Sequence, residues 1–272
     1  MSRHIVNPAQ TIFPDRPINR RQNIEAIQPY GRVGAAMYDI EASWICRRYK
    51  YAHRIQNEIV INVLKKAVAA KPVVIDLGCG TGNDGLYILT KMHRSIYCGI
   101  DYSKHMLRRA ADKLCQQQLR NRSLLIQQDF RLMRPRDVCK SLTNVVLAPD
   151  ICAVISALAL HHYELDEKRR AYTLAYNLLP KGGLFVLVDL FSHSIQLCKE
   201  LALREEIQDM HRALKHMAHP RIQHTTLSER HYTEDNRPHI LSDEITLLRT
   251  IGFKKLDHVY RRGQLSVIAA QR

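Results

Sequence analysis

The stretch "VVIDLGCGTGNDG", residues 73 to 85, constrains the fold more than any other: an apolar run meets an acid and then four glycines in eight positions. The apolar run reads as a short buried strand, the glycines as a turn tight enough for backbone to touch a ligand, and "GLYILTKMH" as the helix that follows. A strand, turn and helix in that order place backbone N–H groups and a positive dipole end beside whatever binds there. Two glycine registers compete for the ligand. Gly80, Gly82 and Gly85 spell G-x-G-x-x-G, the dinucleotide spacing, while Asp76, Gly78, Gly80 and Gly82 spell D-x-G-x-G-x-G, which points to a different adenosine ligand.

The pattern repeats downstream. "SIYCGID" (95 to 101), "SLLIQQD" (123 to 129), "DICAVISALAL" (150 to 160) and "LFVLVDLF" (184 to 191) read as strands, with helices in "SKHMLRRAADKLCQQQL", N-capped by Ser103, and in "DEKRRAYTLAYNLL". Apolar rather than alternating strands separated by helices predict an α/β fold: a doubly wound, mostly parallel seven-stranded sheet with helices on both faces. "FKKLDHVYRRGQLSVIAAQR" closes it with two strands joined by a turn at Arg261, Arg262 and Gly263, too short for anything but an antiparallel C-terminal hairpin. The expected organisation is an extended or flexible arm over 1–32, which carries Pro8, Pro14, Pro17 and Pro29, an N-terminal helical segment over 33–71, the core over 72–191 and 240–272, and a helical cap insertion over 192–239. Leu203, Ile207, Met210, Leu214 and Met217 step by 4, 3, 4 and 3, an amphipathic helix in that insertion. An insertion after a strand's carboxyl end lies over the crevice where open α/β sheets bind ligands.

The acids separate the two glycine registers. Asp101 ends the second strand 19 residues beyond Gly82, where a carboxylate accepts hydrogen bonds from ribose hydroxyls, and this suits either ligand. Asp76 immediately before the turn would repel a pyrophosphate at close range and would attract an ammonium. Asp129 ends the third strand at a position suited to an adenine amino group, with Phe130 or Tyr102 against the ring. Three consecutive strands ending in Asp suit a cationic adenosine such as S-adenosylmethionine and disfavour a nicotinamide-dependent oxidoreductase. In that register Gly85 is a helix-packing residue.

The motifs "VIDLGCGTG", "GIDYSKHML", "QQDF", "LLPKGGLFVLVD" and the terminal "GF" with "LSVIAAQR" resemble, in order, those of the class I S-adenosylmethionine-dependent methyltransferases. The likeness is greatest to the small-molecule enzymes of the ubiquinone-biosynthesis type, in which an N-terminal helix acts as a lid, here residues 33–71. The resemblance implies that Gly78, Gly80 and Gly82 approach the methionine moiety. It implies that Asp76 contacts the methionine amine, Asp101 the ribose and Asp129 the adenine. Ser156 and Ala157 would line the sulfonium.

Methyl transfer from a sulfonium is an in-line displacement that proximity accelerates, and a general base is needed only where the acceptor must lose a proton. "SALALHHYE" places His161 and His162 just past the fourth strand, and one of the two is the candidate catalytic base. Asp189, ending the fifth strand, is a further candidate on the substrate side. The N-P-P-Y-like tetrapeptide of nucleic-acid amino methyltransferases is missing, with "SALA" in its place, and no Pro-Cys pair occupies the fourth strand. A small-molecule acceptor is therefore expected.

Composition sets the alternatives. The formal net charge of +15 is concentrated at residues 1 to 71 (12 Lys/Arg against 5 Asp/Glu) and 91 to 140 (12 against 4). Such a surface attracts anions, so an anionic small molecule or, alternatively, RNA or a protein recruited as methyl acceptor fits it. Trp44, Tyr49 and Tyr51 beside Arg47, Arg48 and Arg54 form a basic and aromatic cluster able to clamp a ligand or to pack as an ordinary helix. Seven cysteines without a C-x-x-C pair read as reduced structural thiols. Seven of the fourteen histidines fall between His193 and His239, but His211, His216, His219 and Asp209 have no recognised ligand spacing, so no metal is expected. No apolar run reaches the roughly 18 residues of a membrane span, and a cytoplasmic protein is expected. Oligomeric state leaves no mark on the sequence.

Overall fold

Short apolar runs build the sheet in this computed structural model, which describes residues 11–12, 35, 38–39, 47–215 and 238–272. Strands β2 (Pro72–Leu77), β3 (Ile96–Asp101), β4 (Ser123–Gln127), β5 (Asp150–Ala157) and β6 (Leu184–Leu190) are parallel. The hairpin β7 (Lys255–Arg262) and β8 (Leu265–Gln271) adds two antiparallel strands, with β8 inserted between β6 and β7. To these seven strands the arm contributes a two-residue β1 (Thr11–Ile12) on the β4 edge, giving the order β1-β4-β3-β2-β5-β6-β8-β7.

Strand β6 shows why its run has no polar face. Phe185 and Leu187 pack on one side with Ala171, Tyr172 and Leu247, while Val186 and Val188 pack on the other with Val60, Ile61 and Leu64. Each such side chain, fully buried, contributes about 1.5–3 kcal/mol of transfer free energy. One face is thus covered by α1 (Arg47–Lys66) and α2 (Asn83–Lys91), with α3 (Lys104–Gln116) toward the β3–β4 side. The other is covered by α4 (Pro135–Leu142), α5 (Leu165–Leu178) and α7 (Leu241–Ile251). Helix α6 (Gln196–Lys215) follows β6 in the insertion and starts earlier than its 203–217 periodicity suggests.

Helix ends follow their chemistry. Ser103 accepts the Met106 N–H and caps α3 as its sequence implies. The Arg94 guanidinium satisfies carbonyls left open at the end of α1, donating to Leu64 O at 3.0 Å, Ala67 O at 2.7 Å and Ala69 O at 2.8 Å. Helix α4 is the element the apolar pattern does not announce. Its signal is Pro135 at the first helical position, with Asp137 accepting the Arg134 N–H at 3.2 Å.

Candidate active site

From the adjacent strands β2 and β5 the chain moves away in opposite directions, β2 to β3 and β5 to β6, so a crevice opens at their carboxyl ends. Strand β2 runs into the glycine turn there. Gly78 has φ +77°, and a Cβ at this residue would stand 2.4 Å from the Ala159 Cβ, so only glycine lets the turn and the chain after β5 approach. A Cβ on Gly80 would meet nothing within 4 Å, which marks open space above the turn. Gly85 lies inside α2, where a Cβ would strike the Tyr97 ring at 2.3 Å; it packs the helix on β3, as the D-x-G-x-G-x-G register implies.

Four carboxylates surround this turn. Asp101 accepts the Gly80 N–H on Oδ2 and the Ser103 N–H on Oδ1, both at 2.8 Å. Burial raises it to about 6 against the pull of those two amides. Asp76 is 2% exposed and accepts the Tyr97 hydroxyl on Oδ2 at 2.7 Å, while its buried Oδ1 has no hydrogen-bond partner among the described residues. Burial first, then the Asp84 charge, push Asp76 up to about 8.

Asp84, in the first turn of α2, carries no sequence signal of its own. Its carboxylate is held by His53 Nδ1 at 2.8 Å and Asn57 Nδ2 at 2.7 Å, two residues one helical turn apart on α1. Burial alone would lower His53, but the Asp84 charge and hydrogen bond outweigh it and raise the imidazole above its ordinary value. Asp39 likewise belongs to no motif. It accepts from the Thr81 hydroxyl at 2.6 Å and from Asn83 Nδ2 at 3.1 Å, and pairs with Lys113 at 2.7 Å and Arg109 at 3.4 Å. These bonds fasten the segment before α1 to the glycine turn.

On the β4 side, Asp129 caps a short turn at Phe130–Leu132 and is gripped by Arg131, whose Nε lies 2.9 Å from Oδ1 and Nη2 2.6 Å from Oδ2. Arg131 also bonds Glu167 and lies 4.2 Å over the Tyr163 ring. Phe130 is buried edge-on to Tyr163, with ring centroids 5.9 Å apart, close to the turn at Gly78. Tyr102 is half-buried beside them, and burial with the Asp101 charge raises its hydroxyl far above the ordinary value.

On the β5 side, the buried Ser156 hydroxyl donates to Leu77 O at 2.7 Å, tying β5 to β2; Ala157 follows, half-buried. Leu158 then adopts φ +53° and donates its N–H to Val188 O at 2.8 Å, turning the chain across β6. The two histidines part here. His161 is buried with Nδ1 hydrogen-bonded to Asp189, while His162 is half-buried and its ring lies 4.0 Å from that of His161. Asp189 also accepts the Leu160 N–H at 3.0 Å and the Leu190 N–H at 2.9 Å, so the carboxylate cannot swing away from the imidazole.

Other candidates fall elsewhere. Tyr51 packs edge-on against Tyr260 of β7 at 5.2 Å, with Arg54 over its ring. Trp44, His216 and His219 lie outside the described residues, as do the side chains of Arg47, Arg48 and His211. Six described cysteines carry free thiols; Cys46 lies outside the described residues. Among the described residues there is no metal-holding cluster, and no helix is long and apolar enough to cross a membrane.

Comparison with known proteins agrees with this geometry. Residues 75–185 match a family model described as a methyltransferase domain. The carboxy-S-adenosyl-L-methionine synthase of Helicobacter pylori (strain G27) is 24% identical over 212 residues, 77% of this chain and 79% of its own length. Among solved structures, the CurJ carbon methyltransferase superposes with a TM-score of 0.61 at 15% identity, covering 91% of this chain and 61% of that one. A geranyl diphosphate methyltransferase bound to GPP and sinefungin gives 0.52 at 11% identity, covering 80% and 78%. The chain spans 55–61% of the length of several larger structures it matches.

Proposed function

We propose that this chain is a class I S-adenosylmethionine-dependent methyltransferase that carries the methyl group to a small-molecule acceptor, using His161 as proton acceptor and Asp189 to hold it. The observation that carries the reading is the buried His161–Asp189 pair at the carboxyl ends of β5 and β6, beside the glycine turn. An imidazole whose Nδ1 faces a fixed carboxylate is locked with Nδ1–H donating, which leaves the Nε2 lone pair to take a proton. At 3% exposure His161 is closed to the backbone of a folded macromolecule, which favours a compact acceptor.

The residues present fit S-adenosylmethionine. The unpartnered Oδ1 of Asp76 suits an ammonium, and the space above Gly80 suits the methionine chain. Asp101 already accepts two amides, yet each carboxylate oxygen keeps a second lone pair for the ribose hydroxyls. Asp129, gripped by Arg131, orders the turn that presents Phe130 to the adenine and keeps one lone pair on Oδ2 for its amino group. Gly78, Gly82 and Ala157 border the sulfonium and methionine, with Ser156 fixing the strand beside them and Tyr102 covering the adenosine. Of the 33–71 segment, α1 packs on the sheet as part of the core, so the lid role falls to the stretch before it, fastened through Asp39 to Thr81 and Lys113. When bound, the cofactor supplies an electrophilic methyl group; the chain orients donor and acceptor and moves one proton to His161 Nε2.

A second reading is favoured by the synthase relative, whose name describes a carboxylated S-adenosylmethionine as product. One experiment separates these. Full-length chain is incubated with methyl-labelled S-adenosylmethionine and fractionated cell extract. Label entering a metabolite, with S-adenosylhomocysteine formed, is expected; label in RNA or protein refutes the small-molecule acceptor, and mass-detected carboxylation of S-adenosylmethionine supports the second reading. On the metabolite so identified, His161→Asn is expected to lower kcat by about 10²–10⁴-fold with S-adenosylhomocysteine affinity unchanged.

A further inference from the structure

The carboxyl edge of the sheet holds a second concavity, past the end of β6 and beside the β7–β8 turn. Its volume is about 320 Å³, and its lining includes Ser192, His193, Ser194, Ile240, Leu241 and Arg261. That is the lower end of the roughly 300–1,000 Å³ of small-ligand sites. Asp189 lies three residues before Ser192, so the concavity adjoins the acceptor side of the crevice, across β6 from the turn that follows β2.

Its charge is one-sided. Arg261 donates from Nη2 to His193 Nδ1 at 2.9 Å and to Ser192 O at 3.4 Å, and from Nε to Gly263 O at 3.3 Å. His193 Nε2 lies 3.2 Å from Gly263 O. With Nε2–H donating to the Gly263 carbonyl, Nδ1 is left to accept from the guanidinium, whose Nη2 also lies 3.1 Å from Nε2. Burial first, then the Arg261 charge, hold His193 below its ordinary value, which agrees with a neutral ring. Glu206 of α6 accepts the Gln264 N–H at 3.0 Å, and among the described residues no carboxylate pairs with Arg261. An exposed guanidinium supported by neutral acceptors, in a concavity also lined by Ile240 and Leu241, is matched by a molecule with an oxyanion at one end and an apolar body.

We infer that this concavity binds the anionic end of the methyl acceptor, a small organic acid whose carboxylate or phosphate is held by Arg261 while its body lies against Ile240 and Leu241. The inference rests on the small-molecule acceptor reading above and adds to it the chemical class of the acceptor.

The test is calorimetry on the full chain saturated with S-adenosylhomocysteine, with benzoate, phenyl phosphate and benzyl alcohol as probes. Both anions are expected to bind the wild-type complex, with benzyl alcohol at least about ten-fold weaker. Arg261→Gln is expected to weaken the anions about ten- to a hundred-fold, and Arg261→Lys, which keeps the charge without the fork, to recover part of that loss. The better of the two anions identifies carboxylate or phosphate as the natural head group. Absence of anion binding to wild type, equal binding to Arg261→Gln, or benzyl alcohol binding as tightly as benzoate would overturn the inference. The S-adenosylhomocysteine titration run first separates the two levels. If it binds all three proteins equally, they are folded and an adverse probe result removes only the anion site. If it does not bind wild type, the methyltransferase reading and the inference fall together.

Discussion

Glu244 is the place to test what holds the second face of the sheet in position. It lies on α7 with no exposed surface, and its two carboxylate oxygens take the Lys168 ammonium and the Tyr172 hydroxyl, both on α5 and both buried. Glu244→Ala would leave an ammonium in an apolar interior without a counterion and a phenol without an acceptor. Breaking a buried pair from one side costs about 3–5 kcal/mol, because the remaining charge keeps its desolvation penalty. For a domain of this size each kcal/mol moves Tm by about 2–4 °C, so a fall of about 6–20 °C is expected. The pair itself is a different matter. In Lys168→Met with Glu244→Leu both charges are gone and the volume is nearly kept, so stability should return to within about 2 kcal/mol of wild type, the residue being the unsatisfied Tyr172 hydroxyl. Urea unfolding followed by circular dichroism gives both numbers. A cost below about 1 kcal/mol for Glu244→Ala, or a double variant no more stable than the single one, would refute the reasoning.

Two further outcomes follow from the cofactor side. Gly78→Ala combines a positive φ with a Cβ 2.4 Å from Ala159, whereas Gly182→Ala carries φ +84° into open space. The second should cost only the left-handed penalty of about 1–2 kcal/mol and leave S-adenosylhomocysteine affinity alone, while the first should also lose at least about ten-fold in affinity by calorimetry; equal affinities would show that the turn does not meet the ligand. Asp76 predicts a pH dependence. Its folded value of about 8 stands above the ordinary carboxyl value, so the native chain holds a proton that the unfolded chain has released. Its contribution to ligand-free stability is therefore complete below about pH 4 and lost as pH rises toward 8. An ammonium reverses the preference, so S-adenosylhomocysteine affinity should rise with pH up to about 8, and Asp76→Asn should flatten both profiles. A wild-type affinity that does not change between pH 6 and 8 would contradict this, and the two profiles are read from urea unfolding and calorimetry.

The parts of this molecule that the sequence discloses are those whose cause is local. Strand β6 is apolar on both faces because both are covered, and that is visible in seven residues without knowing what covers them. Asp76, Asp101 and the glycines are visible because a turn that binds through backbone must repeat one spacing wherever it occurs. Helix α4 escaped because its signal is a proline and an acid rather than an apolar period. Asp84 escaped for a different reason: next to Asn83 it is an unremarkable first-turn acid, and its meaning comes from His53 and Asn57, 31 and 27 residues away on a helix that packs over it. The same holds for His161 and Asp189, each visible alone as the polar end of a strand or loop but separated by 28 residues, so that their pairing depends on β5 and β6 being neighbours. Residues that touch a widespread ligand carry the ligand's pattern, while residues that position them carry only the pattern of this chain's own packing. The distinction bears on the acceptor as well. Arg261 sits near the end of β7, beside a hairpin turn where a basic residue is ordinary, and its singularity lies in what surrounds it: carbonyls and an imidazole in place of an acid. A guanidinium left that way beside the crevice is what the inferred acceptor site would use, and periodicity and motif spacing have no means to register it.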